Sequence, residues 1–237
     1  MTFTEKIALV AGGTGGLGRA VSLAFLEEGA EVIVTYRNDA EFADLKSASG
    51  ANASRLTGRQ VDVTDEAAVQ QLVSGIVVEN KQLDVLVNTV GGYVGGAKLW
   101  DTEAGALDKM LALNLRTGFV LSRAAAKAML PRRKGAIVNV SAKAALDHSA
   151  GLGAYAASKA AALALMDSLA ADLKGSGVRA NTILPSIIDT EANRKAMPDA
   201  NFAKWPKPED IARVILLLCS DDAKVIHGAA IPVYGGD

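Results

Sequence analysis

Cysteine is almost absent from this chain of 237 residues: Cys219 stands alone. One thiol excludes an internal disulfide framework and a cysteine metal cluster. It sits in the apolar run VILLLCSDD and reads as a small buried hydrophobe. Histidine is scarce too. His148 and His227 lie far apart with no paired carboxylate, so no metal site is expected. Neither sign of charge dominates: 25 Lys and Arg against 26 Asp and Glu leave a formal net charge of −1. That balance gives no electrostatic case for nucleic acid or an anionic membrane. No apolar stretch reaches the roughly 18–20 residues needed to span a bilayer. The start, MTFTEKIALVAGG, runs straight into a strand-like segment without a leader pattern. A soluble, cytoplasmic protein is the expectation. Linkers, low-complexity tracts and internal repeats are also missing, which implies one domain over residues 1–237.

What is present is apolar mass, half of all residues, arranged in alternation. KIALVA, EVIVTY, GRQVDV (58–63), LDVLVN, GAIVNVS, VRANTIL and AAIPVY read as seven strands. Between them run helical patterns, including one long helix over 102–130 stopped by Pro131 and another over 153–174. Strands alternating with helices imply an α/β, doubly wound, seven-stranded parallel sheet of Rossmann type. Near-continuous Val, Ile and Leu within the strands fit a sheet covered on both faces. The stretch 189–207, DTEANRKAMPDANFAKWPK, is the most irregular, and a loop of that length suggests a substrate lid.

Two local patterns carry chemistry. The turn after the first strand reads Gly12-Gly13-Thr14-Gly15-Gly16-Leu17-Gly18 and opens a helix. Glycines there let the backbone approach a pyrophosphate, and the helix N-terminus supplies amides and a favourable dipole. Further on, Tyr155 and Lys159 stand four residues apart and share one helix face. An ammonium beside a phenol favours the phenolate, so Lys159 is expected to lower the Tyr155 pKa and fit it for proton transfer. Alone, that spacing also suits a solvated helix face.

With these motifs in this order, the chain resembles the short-chain dehydrogenase/reductase family over essentially its full length. The family pattern T-G-x-x-x-G-x-G falls on Ala11, Gly12, Gly16 and Gly18, with Ala for Thr. Asp62 and Val63 are similar to its adenine-contacting pair. Asn88-Thr89-Val90-Gly91 matches N-N-A-G at two of four positions. Asn114 takes the place of the family's helix-four Asn, which the resemblance implies would position a water relaying protons to Lys159. Pro185-Ser186-Ile187-Ile188-Asp189-Thr190 is similar to the P-G-x-x-x-T segment that holds the nicotinamide amide, so Pro185, Ile188 and Thr190 join Gly91, Tyr155 and Lys159 as expected cofactor residues. The resemblance also implies a homodimer or homotetramer packed through the two long helices and the last strand.

Cofactor choice turns on the end of the second strand. An acid there would accept from the NAD ribose. This chain has Tyr36 and then Arg37, which can meet a 2′-phosphate with a charge-assisted fork, so NADP(H) is expected over NAD(H). The alternative is a merely solvated Arg37.

The family's serine, thirteen residues before the Tyr, falls here on Ala142. Ser141 is adjacent, but one residue along a strand end turns a side chain to the other face. Either a loop adjustment brings Ser141 into the role or the serine is absent. SAKAALDHSAGLGAYAASKAA, the 189–205 segment and Gly91-Gly92-Tyr93-Val94-Gly95-Gly96 resemble dihydropteridine reductases, which also carry Ala there. The expectation is hydride transfer from NADPH to a carbonyl or a conjugated C=N or quinonoid acceptor, with Tyr155 as proton donor. Tyr93 would stack on a flat substrate or pack on the lid. A silent nucleotide-binding regulator is the rival from another class.

Overall fold

Ile7–Ala11 carries no polar side chain, and it forms β1, an interior strand of the sheet buried along its whole length. The computed structural model describes residues 1–236. Around β1 stand β2 (Glu31–Tyr36), β3 (Leu56–Gln60), β4 (Val85–Asn88), β5 (Gly135–Val140), β6 (Val178–Pro185) and β7 (Ala230–Val233). The order is β3-β2-β1-β4-β5-β6-β7, and every pairing is parallel. Parallel neighbours need crossovers, and these put helices on both faces.

Alternation along β1 divides the core in two. Ala8 and Val10 face a layer with Val21 and Phe25 of α1 (Gly16–Glu27) and Ile211 and Ile215 of α8 (Pro208–Cys219). Ile7, Leu9 and Ala11 face the other layer. There they meet Val69 and Ile76 of α3 (Glu66–Asn80), Leu121 of α5 (Thr117–Met129) and Met166 of α6 (Gly153–Asp172). α2 (Asp39–Ala48) covers the β2 edge, and Asn38 caps it by accepting from the Ala40 N–H. From β1 the chain winds outward through β2 and β3, then returns to β4 on the other side of β1. That reversal leaves a crevice beyond Ala11 and Asn88, which are register partners.

Two sequence expectations shift. The third strand, expected over 58–63, ends at Gln60 instead. Asp62 accepts from both the backbone N–H and the hydroxyl of Thr64, an Asx turn that competes with the ladder. The helix expected over 102–130 is three pieces: α4 (Ala104–Met110), a π turn over Leu111–Arg116, and α5. A π turn adds a residue to the helix, and such insertions often mark functional sites. At the amino end of the strands, Asp84 is buried, accepts from the Ile7 N–H at 2.9 Å and pairs with Arg132 at 3.2 Å.

Candidate active site

The crevice floor is the glycine turn. Gly12 has φ +73, the left-handed region that disfavours a side chain. A Cβ on Gly18 would lie 2.1 Å from the Gly12 carbonyl oxygen, so α1 can start this close to β1 only with glycine. The turn is tied down by two threonines that motif reading missed. The Thr35 hydroxyl accepts from the Gly12 N–H at 3.0 Å. The Thr89 hydroxyl donates to the Ala11 carbonyl at 2.7 Å. Thr89 is one of the mismatches to N-N-A-G, and it restores a local bond where Ala11 replaces Thr. α1 starts from Gly15 with no side-chain cap. Its first-turn amides and dipole therefore face the crevice and suit a pyrophosphate. Thr14 donates to Glu41 at 2.9 Å, while Leu17 is buried in the core. Across the crevice, the Thr190 methyl lies 2.8 Å from where a Cβ on Gly16 would stand. The segment after β6 thus closes the cradle.

At the outer end, Tyr36 stacks flat on Phe42, with centroids 4.7 Å apart and planes 6° from parallel. Its ring is turned to α2, which leaves Arg37 as the exposed charge at the rim. The Thr64 N–H and hydroxyl hold the Asp62 carboxyl below its usual range, and the Arg37 guanidinium adds to this. Val63 is buried beneath. Asn88 sits at the crevice base, donating to Asn139 at 2.9 Å and accepting from the Val90 N–H.

α6 places Tyr155 and Lys159 one turn apart. Lys159 is buried, and its ammonium donates to the Val140 carbonyl at 3.1 Å and lies 6.0 Å from the Tyr155 ring centroid. Burial pulls its pKa down to about 8. The Tyr155 phenol moves opposite to the sequence expectation. Burial first, and the Tyr93 phenol second, push it up to about 12. Desolvation of the phenolate outweighs any help from a lysine that is itself desolvated. A phenol raised in this way stays protonated at neutral pH but is a weaker acid than a free tyrosine, so it gives its proton only as charge develops on an acceptor.

Asn114 holds a loop. Its amide oxygen accepts from the Gly92 N–H at 2.8 Å, and its amide nitrogen donates to the Gly92 carbonyl at 3.0 Å and to the Ser158 hydroxyl at 2.9 Å. The π turn, at whose centre Asn114 sits, turns it toward this loop. Its side chain is thereby fully engaged, and the structure gives it an anchoring role on Gly92. A Cβ on Gly91 would lie 2.9 Å from the Asn114 amide oxygen and 3.1 Å from the Lys159 ammonium, so Gly91 brings all three together. Ser158, next to Lys159 on α6, was not singled out; only its position adjoining the motif could have flagged it.

Ser141 is turned away. Its hydroxyl donates to the Lys159 carbonyl at 2.9 Å, buried beneath α6. Ala142, in extended backbone, presents a methyl at the family's serine position. Tyr93 packs on Tyr155 and not on the lid: centroids are 5.1 Å apart with planes at 69°.

The 189–207 segment is more ordered than its sequence suggests. The Asp189 N–H donates to the Pro206 carbonyl and pinches its base. Thr190 caps α7 (Glu191–Ala196). Arg194 pairs with Asp189 at 2.5 Å and lies over the Phe202 ring. His148 is exposed, and His227 is structural, bonded to the Ala180 N–H and the Ala170 carbonyl. Cys219 is buried, as expected. Among the described residues no group of three or more His, Cys, Asp or Glu side chains could hold a metal. No helix among them is long and apolar enough to cross a membrane.

Comparison with known proteins agrees with this geometry. A family model described as short chain dehydrogenase matches residues 6–201. D-threitol dehydrogenase of Mycolicibacterium smegmatis is 34% identical, over 98% of this chain and 92% of its own. A 3-oxoacyl-acyl-carrier-protein reductase of Salmonella typhimurium is 30% identical, over 100% of this chain and 98% of its own. The solved structure of ElxO with NADP bound superposes with a TM-score of 0.92 at 28% identity, covering 98% of each chain.

Proposed function

The chain belongs to the short-chain dehydrogenase family, and from that premise we propose an NADPH-dependent reductase in which Tyr155 gives the proton. That it is an oxidoreductase with a nicotinamide cofactor follows from the family. The direction, the donor and the choice of NADPH are our reading. The observation that carries it is the Tyr155 ring set 6.0 Å from the buried Lys159 ammonium, in a crevice whose glycine turn admits no Cβ at Gly18.

The residues present fit a dinucleotide: a turn that admits no Cβ at Gly18, uncapped α1 amides, and Thr190 opposite. When bound, the nicotinamide supplies a hydride. The chain's own part is then binding, orientation and a proton. Gly12, Gly16 and Gly18 let the diphosphate approach, while Asn88, Gly91, Pro185, Ile188 and Thr190 shape the nicotinamide end. Tyr155 transfers its hydroxyl proton to the acceptor atom as negative charge grows there. The Lys159 ammonium stabilises the phenolate left behind until solvent returns the proton.

Assaying NADPH oxidation against a panel of ketones, quinones and quinonoid pterins tests this. Tyr155→Phe is expected to lose roughly 10²-fold or more in kcat. A Tyr155→Phe protein as active as its parent would overturn the mechanism. Arg37 supports NADPH, since it stands exposed where a 2′-phosphate would lie. Arg37→Ala should raise the KM for NADPH roughly tenfold or more, the worth of a charged hydrogen bond, and leave that for NADH unchanged. A clear NADH preference in the parent, untouched by this change, would end the idea.

A second reading, a dihydropteridine reductase-like enzyme, is favoured by one observation. Ala142 offers no hydroxyl and Ser141 is spent on α6. A conjugated C=N acceptor delocalises its charge and needs less stabilisation than a ketone. Turnover of quinonoid dihydropterin without turnover of ketones would select it. The reading includes a homodimer or homotetramer packed through α5 and α6, which sedimentation equilibrium tests.

A further inference from the structure

The loop after β4 is built around one phenol. Glycines flank Tyr93 on both sides in Gly91-Gly92-Tyr93-Val94-Gly95-Gly96. Asn114 grips Gly92, the residue before Tyr93, by both its N–H and its carbonyl. The Gly96 N–H donates to the Gly151 carbonyl at 3.0 Å, tying the loop to the segment that leads into α6. The Tyr93 hydroxyl stands 2.4 Å from where a Cβ on Gly95 would be, so any larger residue at 95 would displace it. The ring then meets Tyr155 edge to face. For a side chain 65% exposed, this is unusually heavy backbone support. Among the described residues, neither phenol hydroxyl is engaged by a protein hydrogen-bond partner.

The same opening lacks the expected second donor. Ala142 presents a methyl, and the Ser141 hydroxyl is bonded to the Lys159 carbonyl beneath α6. We propose that the Tyr93 hydroxyl is the second hydrogen-bond donor to the acceptor's oxygen, beside Tyr155, in place of the absent serine. This rests on the reductase reading and deepens it. Tyr155 loses its proton to the oxygen, while Tyr93 keeps its own and only stabilises the growing charge. The acceptor is then a ketone or quinone, since two phenols packed edge to face at one opening suit an oxygen. An apolar body suits this acceptor, because Leu99 is exposed and lies 2.9 Å from where a Cβ on Gly153, at the start of α6, would stand.

Tyr93→Phe keeps the ring and removes only the hydroxyl. It is expected to lower kcat with ketone or quinone roughly 10²-fold, the worth of one oxyanion donor, with the dissociation constant for NADPH unchanged. Ala142→Ser added to Tyr93→Phe restores part of that loss. A Tyr93→Phe enzyme within twofold of its parent, while Tyr155→Phe is inactive, overturns this inference and leaves the reductase standing. So does a loss that Ala142→Ser cannot restore in any degree. A parent that oxidises NADPH with no acceptor in the panel overturns both.

Discussion

Lys159 is charged, buried and without a carboxylate, and this is the most costly placement in the site. Burial lowers it from the ordinary 10.5 to about 8. Between those values the unfolded chain holds a proton that native Lys159 has released. Native stability therefore rises with pH across that window, by a total on the order of 3 kcal/mol. Lys159→Met keeps the length and removes the charge. It should unfold at higher urea than the parent at pH 7, lose the pH slope, and be inactive; parallel slopes in the two proteins would sink the argument. Tyr155 has the opposite sign. Its phenol is raised from 10 to about 12, so stability falls as pH climbs through that range. Both residues were legible as a pair from their spacing. Their pKa directions were not, because spacing says nothing of how much water burial removes.

At the scale of elements, the glycine turn and the π turn do the positioning. Gly18→Ala would place a methyl 2.1 Å from the Gly12 carbonyl. The backbone there cannot yield without moving α1 off β1, so NADPH affinity should fall at least tenfold while the far-ultraviolet spectrum stays native. Fluorescence titration with NADPH checks this. Asn114→Ala removes the amide that satisfies Gly92. Leaving those groups unpaired should cost about 1–3 kcal/mol in urea unfolding, with activity lost as the Tyr93 loop loosens. The glycine turn was readable from its composition and its place after a strand. The π turn was not. Residues 102–130 carry an uninterrupted helical pattern, and only the bonds from Asn114 to Gly92 and Ser158 show why the helix takes in an extra residue. The lid was likewise read as irregular, because the Asp189 to Pro206 closure joins residues far apart in sequence.

Over the whole molecule, the sheet separates two apolar layers, and the site occupies only the carboxyl end of the strands. Core and chemistry should therefore be separable. Phe25→Ala empties a fully buried position packed edge-on against Phe3. It is expected to cost about 3–5 kcal/mol, yet leave kcat per folded molecule unchanged, as parallel unfolding and assay measurements would show. The opposite edge of the sheet is held by Asp84, which joins the start of β1 to Arg132. Nothing local in the sequence marks this role, since its partner Ile7 lies 77 residues away.

The sequence by itself determined the fold class, the strand count, the glycine turn after β1 and the spacing of the Tyr155/Lys159 pair. Each of these is written in local period, in glycine spacing or within one helical turn. Only the tertiary structure decided what those residues face. Ser141 is turned to α6, Asn114 to Gly92 and Tyr93 to Tyr155, and the Tyr155 phenol is raised where a neighbouring ammonium promised the reverse. Those outcomes depend on burial and on contacts across the sheet, and such distances are set by packing, not by order along the chain.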